Sequence, residues 1–485
     1  MNFKLKGSNL IFVIILVFVI IFLGLFSLVH VQWAQDSFWH MNLIKNIAEG
    51  KGYTSDGIFP HGKYPPGLMI LILPFYLIFK NLNFSGILAV GIISVLSIII
   101  TYKIGGGISE KVGLAAALLL VLNSLFIFNS VSIMTEIPFL FFSMASIYFF
   151  SEGFKKEIYF FPSLVFFALA CLIRYDGFLL FIVFAIFALV KRKEIGQLNL
   201  NWLFAGIATS IIIIGTWFFR NWKVFGSLLA SSYSAEVQKV TIWEMLKFLW
   251  IYHEVGTLFC VFSLIGIYYI IKNKEEKLFP YLGWFIIYII LHLYWWTRVL
   301  RFYTEIIAII CIFAAYGVIE IMKQIKFDKR KKNLILVILL ILYVLSQSYG
   351  LFLSNHHDEM TFKVINRYGS IKESCEWANE NLDNDSYFAV PDVAVYSLFL
   401  DKKNIIYYND GLNNYLNGAK IYLFADTLHT WMTAPFLEGE NGSVILKNNM
   451  ATLEIKTNLI KKVNYENKST TIILQPINFS IINLT

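Results

Sequence analysis

Acidic residues that could do chemistry lie where apolar segments of the sequence begin or end. Asp36 follows the first long apolar run, Leu10 to Val29, and Glu136 stands at the start of a later one. A carboxylate so placed can serve as a general base for an acceptor alcohol, which is a poor nucleophile until its proton is being removed. Both residues also have a structural interpretation. Asp36 can cap a short helix from Ser37 to Ala48, and Glu136 can occupy a first helical turn, where the dipole favours an acid.

Basic residues at similar positions could bind an anion, because a leaving phosphate has to be held by positive charge or by a metal. Arg298 and Arg301 lie in a short predicted loop, and either guanidinium can bind phosphate through two parallel hydrogen bonds. The alternatives are an i,i+4 pair between Arg301 and Glu305 and, for the other arginines, a side chain that snorkels to the membrane surface. The candidate phosphate-binding residues are Arg174, Arg220, Arg298, Arg301 and Lys63.

Histidines could supply a metal site near the same surface. His40, His61, His253 and Glu254 all fall in predicted loops of one face. They lack the close spacing of established metal-binding motifs, which is the argument against such a site. A divalent metal held by these four residues is the only cofactor that the sequence suggests.

The elements that position these residues must lie in lipid. The 485 residues are 58% hydrophobic and only 15% charged, whereas an ordinary soluble domain has roughly 25% charged residues. The apolar runs end near Leu353, so residues 1–352 are interpreted as a transmembrane domain and residues 353–485 as a soluble domain. The first part carries a net charge of +12 and the second −4. Basic loops suit anionic lipid, and no basic stripe or stacking motif suggests nucleic acid.

Eleven apolar segments predict eleven spanning helices. Assigning the more basic loops to the cytoplasm gives those loops 18 Lys and Arg in 54 positions, against 11 in 87 for the other loops. The assignment requires the short run Pro65 to Phe79 not to cross the membrane. It leaves long outer loops at 32–64 and 220–253, the second with an interfacial stretch at Val240 to Trp250. The apolar segments are 9–31, 84–101, 112–128, 136–150, 160–172, 177–190, 201–219, 254–271, 279–297, 303–322 and 333–352.

The soluble part has alternating patterns of helix and strand. Helical spacing extends from Ser370 to Leu382, strand-like runs follow, and from Ser443 the pattern is strand after strand. These features predict a small α/β domain that ends in antiparallel hairpins. With the N-terminus in the cytoplasm, eleven crossings put this domain on the extracytoplasmic side of what we expect to be a prokaryotic cell membrane.

The order of motifs in the first 350 residues resembles the GT-C glycosyltransferase superfamily, in particular the dolichyl-phosphate-mannose protein mannosyltransferase-like enzymes and the lipid A aminoarabinose transferases. The resemblance implies a polytopic helical fold and transfer of one sugar from a polyprenyl-phosphate donor, with Asp36 as the general base. It also implies a metal, although the aminoarabinose transferases have an acidic residue where this chain has His61-Gly62-Lys63. The motifs are Asp36, Gly50 to Tyr53, Tyr64 to Leu68, Met134 to Phe139, Arg174-Tyr175-Asp176-Gly177, Arg220 to Gly226 and Arg301-Phe302-Tyr303.

Two alternatives remain beside a single-sugar transferase whose acceptor hydroxyl belongs to a glycan, a lipid or a protein. An oligosaccharyltransferase would share the architecture, but Trp295-Trp296-Thr297-Arg298 does not match that family's signature. A polytopic transporter or flippase of lipid-linked sugars would be expected to have paired halves or ionisable residues at mid-membrane, which are not evident in the sequence.

Overall fold

The structure is a computed structural model, and its described residues cover most of the chain. Of the first predicted span it describes only residues 12, 16–17, 19–21 and 24. The interfacial stretch Val240 to Trp250 and the residues His253, Glu254 and Arg298 lie outside the described residues. Those described from there on are 35–55, 57, 59–196, 198–230, 257–294, 300–356, 369–402, 404–407, 420–426, 443–447, 451–465 and 469–484.

The contacts of the chain divide it into two units. The membrane unit comprises Met1–Val31 and His61–His357, and the sheet unit comprises Gln32–Pro60 and Asp358–Thr485. The sequence division by hydropathy assigned residues 32–64 to the membrane part as a loop. In the structure, residues 32–60 group with the sheet unit. Helix α1 (Gln35–Ala48) contacts the short helix Val393–Tyr396, and the rings of Phe38 and Phe399 meet edge to face with their centroids 6.2 Å apart.

The membrane unit is helical, and its helices coincide with the predicted apolar segments after the first. Among the described residues, four stretches are long and apolar enough to span a bilayer: Leu82–Gly106, Asn201–Phe225, Arg301–Gln324 and Lys329–Ser348. The number of crossings, eleven, stays a prediction. The helices are Gly67–Phe79 (α2), Leu82–Gly106 (α3), Glu110–Val121 (α4), Ser124–Ser130 (α5), Glu136–Gly153 (α6), Phe160–Ile173 (α7), Leu180–Val190 (α8), Arg192–Ile195 (α9), Asn201–Phe225 (α10), Thr257–Lys272 (α11), Phe279–Tyr294 (α12), Thr304–Gln324 (α13) and Lys329–His356 (α14).

Helix α2 contains the run that the charge bias requires not to cross. It has 13 residues and carries Pro74 inside, so at 1.5 Å per residue it is about 20 Å long. The hydrocarbon core of a bilayer is about 30 Å thick. Its first three residues, Gly67 to Met69, are buried, and its end, from Leu77 to Phe79, is exposed. A straight crossing by this helix alone would therefore leave part of the core unspanned.

Helices α4 and α5 meet at a bend of 66°, and polar side chains satisfy the backbone there. Asn123 caps α5 by accepting a hydrogen bond from the Phe126 amide at 3.1 Å. The side-chain carbonyl of Gln347, from α14, accepts the Ser124 amide at 3.0 Å and its hydroxyl at 2.9 Å. Because lipid offers no hydrogen bonds, such a bend requires a partner of this kind from a neighbouring helix.

Helix α13 lies at the core of the membrane unit, and every residue from Thr304 to Gly317 is buried. It crosses α11 at two glycines. A Cβ atom on Gly266 would collide with the Phe313 carbonyl, and one on Gly317 would collide with the Phe262 carbonyl. Small residues at such crossings let two backbones pack directly in a membrane protein. This contact holds α13 in place, and with it the charged residue Glu305 near its start.

The sheet unit contains a six-stranded mixed sheet in the order β2-β1-β3-β6-β5-β4. Strand β1 pairs in parallel with β2 on one side and with β3 on the other. The pairs β3–β6, β6–β5 and β5–β4 are antiparallel. The helix predicted from Ser370 is present as α15 and packs on the two long strands β5 and β6. The elements are Gly369–Asn381 (α15), Tyr387–Val390 (β1), Val393–Tyr396 (α16), Ile405–Tyr407 (β2), Ile421–Asp426 (β3), Ser443–Lys447 (β4), Ala451–Tyr465 (β5) and Ser469–Leu484 (β6).

The predicted orientation can be tested with an introduced cysteine. Glu373 is exposed on α15 of the sheet unit, so a Glu373→Cys variant should react with an impermeant thiol reagent added to intact cells. The matched control is Lys326→Cys, exposed in the predicted cytoplasmic loop 323–332, which should react only after lysis. The parent protein is the blank, because three of its cysteines are buried and the fourth, Cys260, is half-buried. The reverse labelling pattern would contradict the charge-based topology.

Candidate active site

Five charged side chains meet where helices of the membrane unit begin or end. Glu136 is the first residue of α6, Glu305 is the second residue of α13, and Arg301 lies in the short turn before α13. Arg174 follows the last residue of α7, and Asp176 lies in the 3-10 turn after it. Glu136 and Glu305 have no exposed side-chain surface, whereas Arg174, Asp176 and Arg301 are each about one fifth exposed.

Arg174 is bound by two carboxylates. Its Nε lies 3.1 Å from Oε1 of Glu305, and its Nη2 lies 3.1 Å from Oδ2 of Asp176. Its Nη1 also donates to the Thr135 hydroxyl at 3.3 Å. One positive charge is therefore shared by two negative charges, and the arginine links the end of α7 to the starts of α6 and α13.

Arg301 is paired with the other buried acid. Its Nε lies 3.3 Å from Oε1 of Glu136, and the centroid of the Phe302 ring lies 5.5 Å from Cζ of Arg301 and 4.9 Å from Cζ of Arg174. The Phe302 carbonyl accepts a hydrogen bond from Tyr288 at 2.8 Å, which fixes this turn against α12. The predicted local pair of Arg301 with Glu305 is wrong: Glu305 pairs with Arg174, and Arg301 reaches across to Glu136.

The Lys63 segment lies elsewhere in the membrane unit, ahead of α2. Lys63 is exposed, and its ammonium lies 5.5 Å from the ring of Tyr64. His61, two residues before Lys63, is buried, and its carbonyl accepts a hydrogen bond from Nη1 of Arg220 at 2.7 Å. Arg220, predicted to bind phosphate, is thus bonded to the backbone of this segment.

Asp36 belongs to the sheet unit. It is half-buried in the first turn of α1, which begins at Gln35 and includes the helix predicted from Ser37. The position is one where an acid stabilises the helix through its dipole, as the structural interpretation expects. The structure therefore shows Asp36 in a helical turn, and its role as a base stays a prediction.

The predicted metal ligands do not form a donor group within the described residues. No three His, Cys, Asp or Glu side chains there are spaced to hold a metal ion, and His253 and Glu254 lie outside this part of the chain. His40 is buried in the sheet unit and His61 in the membrane unit. Nε2 of His61 accepts a hydrogen bond from the Tyr64 amide at 3.2 Å, so its lone pair is already used. We derive no step through a metal.

Sequence reasoning missed the central place of Asp176 and the two tertiary ion pairs. Asp176 stands in the motif Arg174-Tyr175-Asp176-Gly177, which the sequence comparison singled out for its arginine. The i,i+2 spacing of a basic and an acidic residue directly after an apolar segment was the available signal. No local pattern indicates the pairing of Glu136 with Arg301, because 165 residues separate them.

Known proteins share this fold. A family model described as dolichyl-phosphate-mannose-protein mannosyltransferase matches residues 63–219. The crystal structure of ArnT from Cupriavidus metallidurans bound to undecaprenyl phosphate has a TM-score of 0.63 at 11% sequence identity, over 96% of this chain and 98% of that chain. The apo form of ArnT has a TM-score of 0.64 at 10% identity over the same shares. No curated protein sequence gives a significant match.

These findings confirm the resemblance to the GT-C superfamily that the motifs suggested. The matched region includes Lys63, Glu136, Arg174 and Asp176. The fold and the apolar helices together make the chain a multi-pass membrane protein.

The ion pair of Arg174 with Glu305 should be worth more to stability than its exposed counterparts. Arg174→Met leaves a fully buried carboxylate without its guanidinium, so we expect a loss of about 3 to 5 kcal/mol in the free energy of unfolding. Adding Glu305→Gln removes the buried charge and should restore part of the loss. Thermal unfolding of purified protein in detergent measures both, with Arg192→Met on an exposed turn as the control. A double variant less stable than Arg174→Met would contradict the pairing.

Proposed function

We propose that this multi-pass membrane protein with a GT-C fold transfers a single sugar from a polyprenyl-phosphate donor to an acceptor hydroxyl at the extracytoplasmic face, with inversion. The observation that carries the proposal is the group of partly exposed guanidinium groups at helix ends, in a fold shared with a protein that binds undecaprenyl phosphate. The acceptor is a glycan, a lipid or a protein. In the reaction, the bond from the anomeric carbon to the phosphate oxygen breaks while the acceptor oxygen attacks from the opposite side.

Arg301 is the arginine that we assign to the donor phosphate. Arg301 is about one fifth exposed and its Nε lies 3.3 Å from the carboxylate of Glu136, whereas Arg174 contacts two carboxylates, those of Glu305 and Asp176, which would repel an anion. A phosphate anion is attracted to the first arrangement more than to the second. Arg174 is then a structural link between three helix ends. Lys63, exposed ahead of α2, is the second phosphate-binding residue.

Glu136 orients Arg301 in this proposal and does not transfer a proton. Its carboxylate is fully buried and lies 3.3 Å from Nε of Arg301, which leaves no exposed oxygen for an acceptor. Nη1 of the same guanidinium donates to Sδ of Met134 at 4.0 Å, so Glu136 and Met134 together orient the group that we assign to the phosphate. The sequence predicted Glu136 as a catalytic carboxylate, and in this proposal it has a positioning role instead.

Asp36 is the proposed general base. The carboxylate takes the acceptor hydroxyl proton as the new glycosidic bond forms, and the polyprenyl phosphate leaves with the electrons of the broken bond. Asp36 is half-buried, so in contrast to Glu136 it keeps an accessible surface. Support comes from its place directly after the first apolar run, the position at which the resembling enzymes have an acidic residue.

Asp36→Asn separates the proton-transfer role of Asp36 from its helical role. The amide keeps the shape and much of the capping ability of the side chain but cannot accept the proton, so turnover should fall roughly 10²- to 10⁴-fold. The assay is sugar transfer from a polyprenyl-phosphate donor by purified protein whose melting temperature is measured in parallel. Glu49→Gln, exposed at the other end of the same helix, is the matched control. A folded Asp36→Asn protein with parental turnover would remove Asp36 from the mechanism.

Arg301→Met should weaken donor binding roughly 10- to 100-fold, the effect of losing a hydrogen bond between charged groups. Arg301→Lys keeps the charge but loses the two-bond geometry, so its affinity should lie between those of the parent and the Met variant. Binding of undecaprenyl phosphate to purified protein measures the difference, with Arg192→Met as the control. Parental affinity in both Arg301 variants would place the phosphate at another cation.

A further inference from the structure

The segment from His61 to Gly67, which carries Lys63, is fixed to two other elements of the membrane unit. At its first end Gly62 is buried, and a Cβ atom there would collide with Cβ of Ala230 and lie 2.9 Å from Cε2 of Phe225, the last residue of α10. At its other end a Cβ atom on Gly67 would lie 2.6 Å from the Leu172 carbonyl, near the end of α7. Both glycines are therefore places where backbone packs directly on a neighbour.

Arg220 provides the polar part of this attachment. It lies five residues before the end of α10, and its guanidinium carbon is 5.1 Å from the ring of Trp217 and 5.2 Å from the ring of Phe225. Its Nη1 donates to the His61 carbonyl at 2.7 Å and to Oδ1 of Asn221 at 2.9 Å. Two aromatic rings thus hold the guanidinium by cation–π contacts, while two neutral oxygens share one of its nitrogens.

The end of α10 that presents Arg220 is itself anchored. Trp217 is buried, and its indole N–H donates to the hydroxyl of Tyr175 at 2.9 Å, in the turn between Arg174 and Asp176. Asn221 has no exposed surface and donates to the Leu228 carbonyl at 3.3 Å. Arg220 therefore bonds to the Lys63 segment from a helix end that is held to the charged cluster.

We propose that Arg220 is a positioning residue that acts on the donor phosphate through Lys63. It holds the His61 carbonyl, two residues before Lys63, and so fixes the backbone from which the lysine side chain extends. This role replaces the expectation that Arg220 itself binds the phosphate. The rings of Trp217 and Phe225 and the hydrogen bond to His61 hold its guanidinium at this segment. The inference rests on the proposed function, in that it takes Lys63 as a ligand of a lipid phosphate.

A double-mutant cycle tests the inference, with binding of undecaprenyl phosphate to purified full-length protein as the measurement. Lys63→Met should weaken binding about tenfold, the effect of losing a charged hydrogen bond. Arg220→Met should cause a similar loss. If Arg220 acts through Lys63, the double variant should bind no more weakly than Lys63→Met alone, because residues in one chain of contacts are not additive.

A second variant displaces the Lys63 segment while leaving Arg220 unchanged, so the test does not depend on the folding of the Arg220 variants. Gly62→Ala leaves all charges in place but makes the segment collide with Ala230 and Phe225, so it should reproduce the loss in Arg220→Met and add nothing to Lys63→Met. Gly91→Ala, at a helical glycine with open space around it, is the matched control. Melting temperatures of all variants are compared with that of the parent.

Several outcomes would overturn the inference. Losses that multiply in the double variant would mean that Arg220 binds phosphate itself or acts on the whole fold. Parental affinity in Arg220→Met, or in Lys63→Met, would also reject it. Failure here is distinguishable from failure of the proposed function, because sugar transfer by the parent protein and its loss in Asp36→Asn are measured with Lys63 and Arg220 both in place.

Discussion

Lipid cannot solvate a charge, and this constraint accounts for the arrangement of the helix ends in the membrane unit. An unpaired carboxylate in a membrane protein is costly, so Glu136 and Glu305, which have no exposed surface, each require a cation within contact distance. Arg301 and Arg174 supply these cations from other parts of the chain. The two pairs fix the starts of α6 and α13 and the turn after α7 relative to one another.

The same pairing decides how each arginine can be used. The guanidinium of Arg174 contacts two acids, whereas that of Arg301 contacts Glu136 through Nε and Met134 through Nη1. Arg220 represents a third arrangement, in which aromatic rings and neutral oxygens hold the group. Three arginines of similar appearance in sequence therefore differ in their electrostatic surroundings.

Local patterns in the sequence predicted the helices with good accuracy. A segment that crosses lipid must be apolar and must satisfy its own backbone hydrogen bonds, so hydropathy identifies such helices directly. The predicted segment 84–101 lies within α3, and the predicted helix from Ser37 to Ala48 lies within α1. Short-range rules failed for the charged residues. The i,i+4 rule favoured a pair of Arg301 with Glu305, but an isolated helix pair is worth only about 0.5 kcal/mol, far less than a buried carboxylate requires from a guanidinium.

The sequence by itself determined that the chain lies in a membrane, where its apolar helices run, and that charged residues cluster at their ends, since these follow from composition and order along the chain. Tertiary structure alone decided which charges meet. Glu136 and Arg301 are brought together by the packing of α6 near α13, and Arg220 reaches His61 only because α10 ends beside the segment before α2. Residues 32–60, which include Asp36, also group with the sheet unit because α1 contacts helix α16 there. Hydropathy along the chain cannot predict this grouping, because it depends on a contact between distant segments.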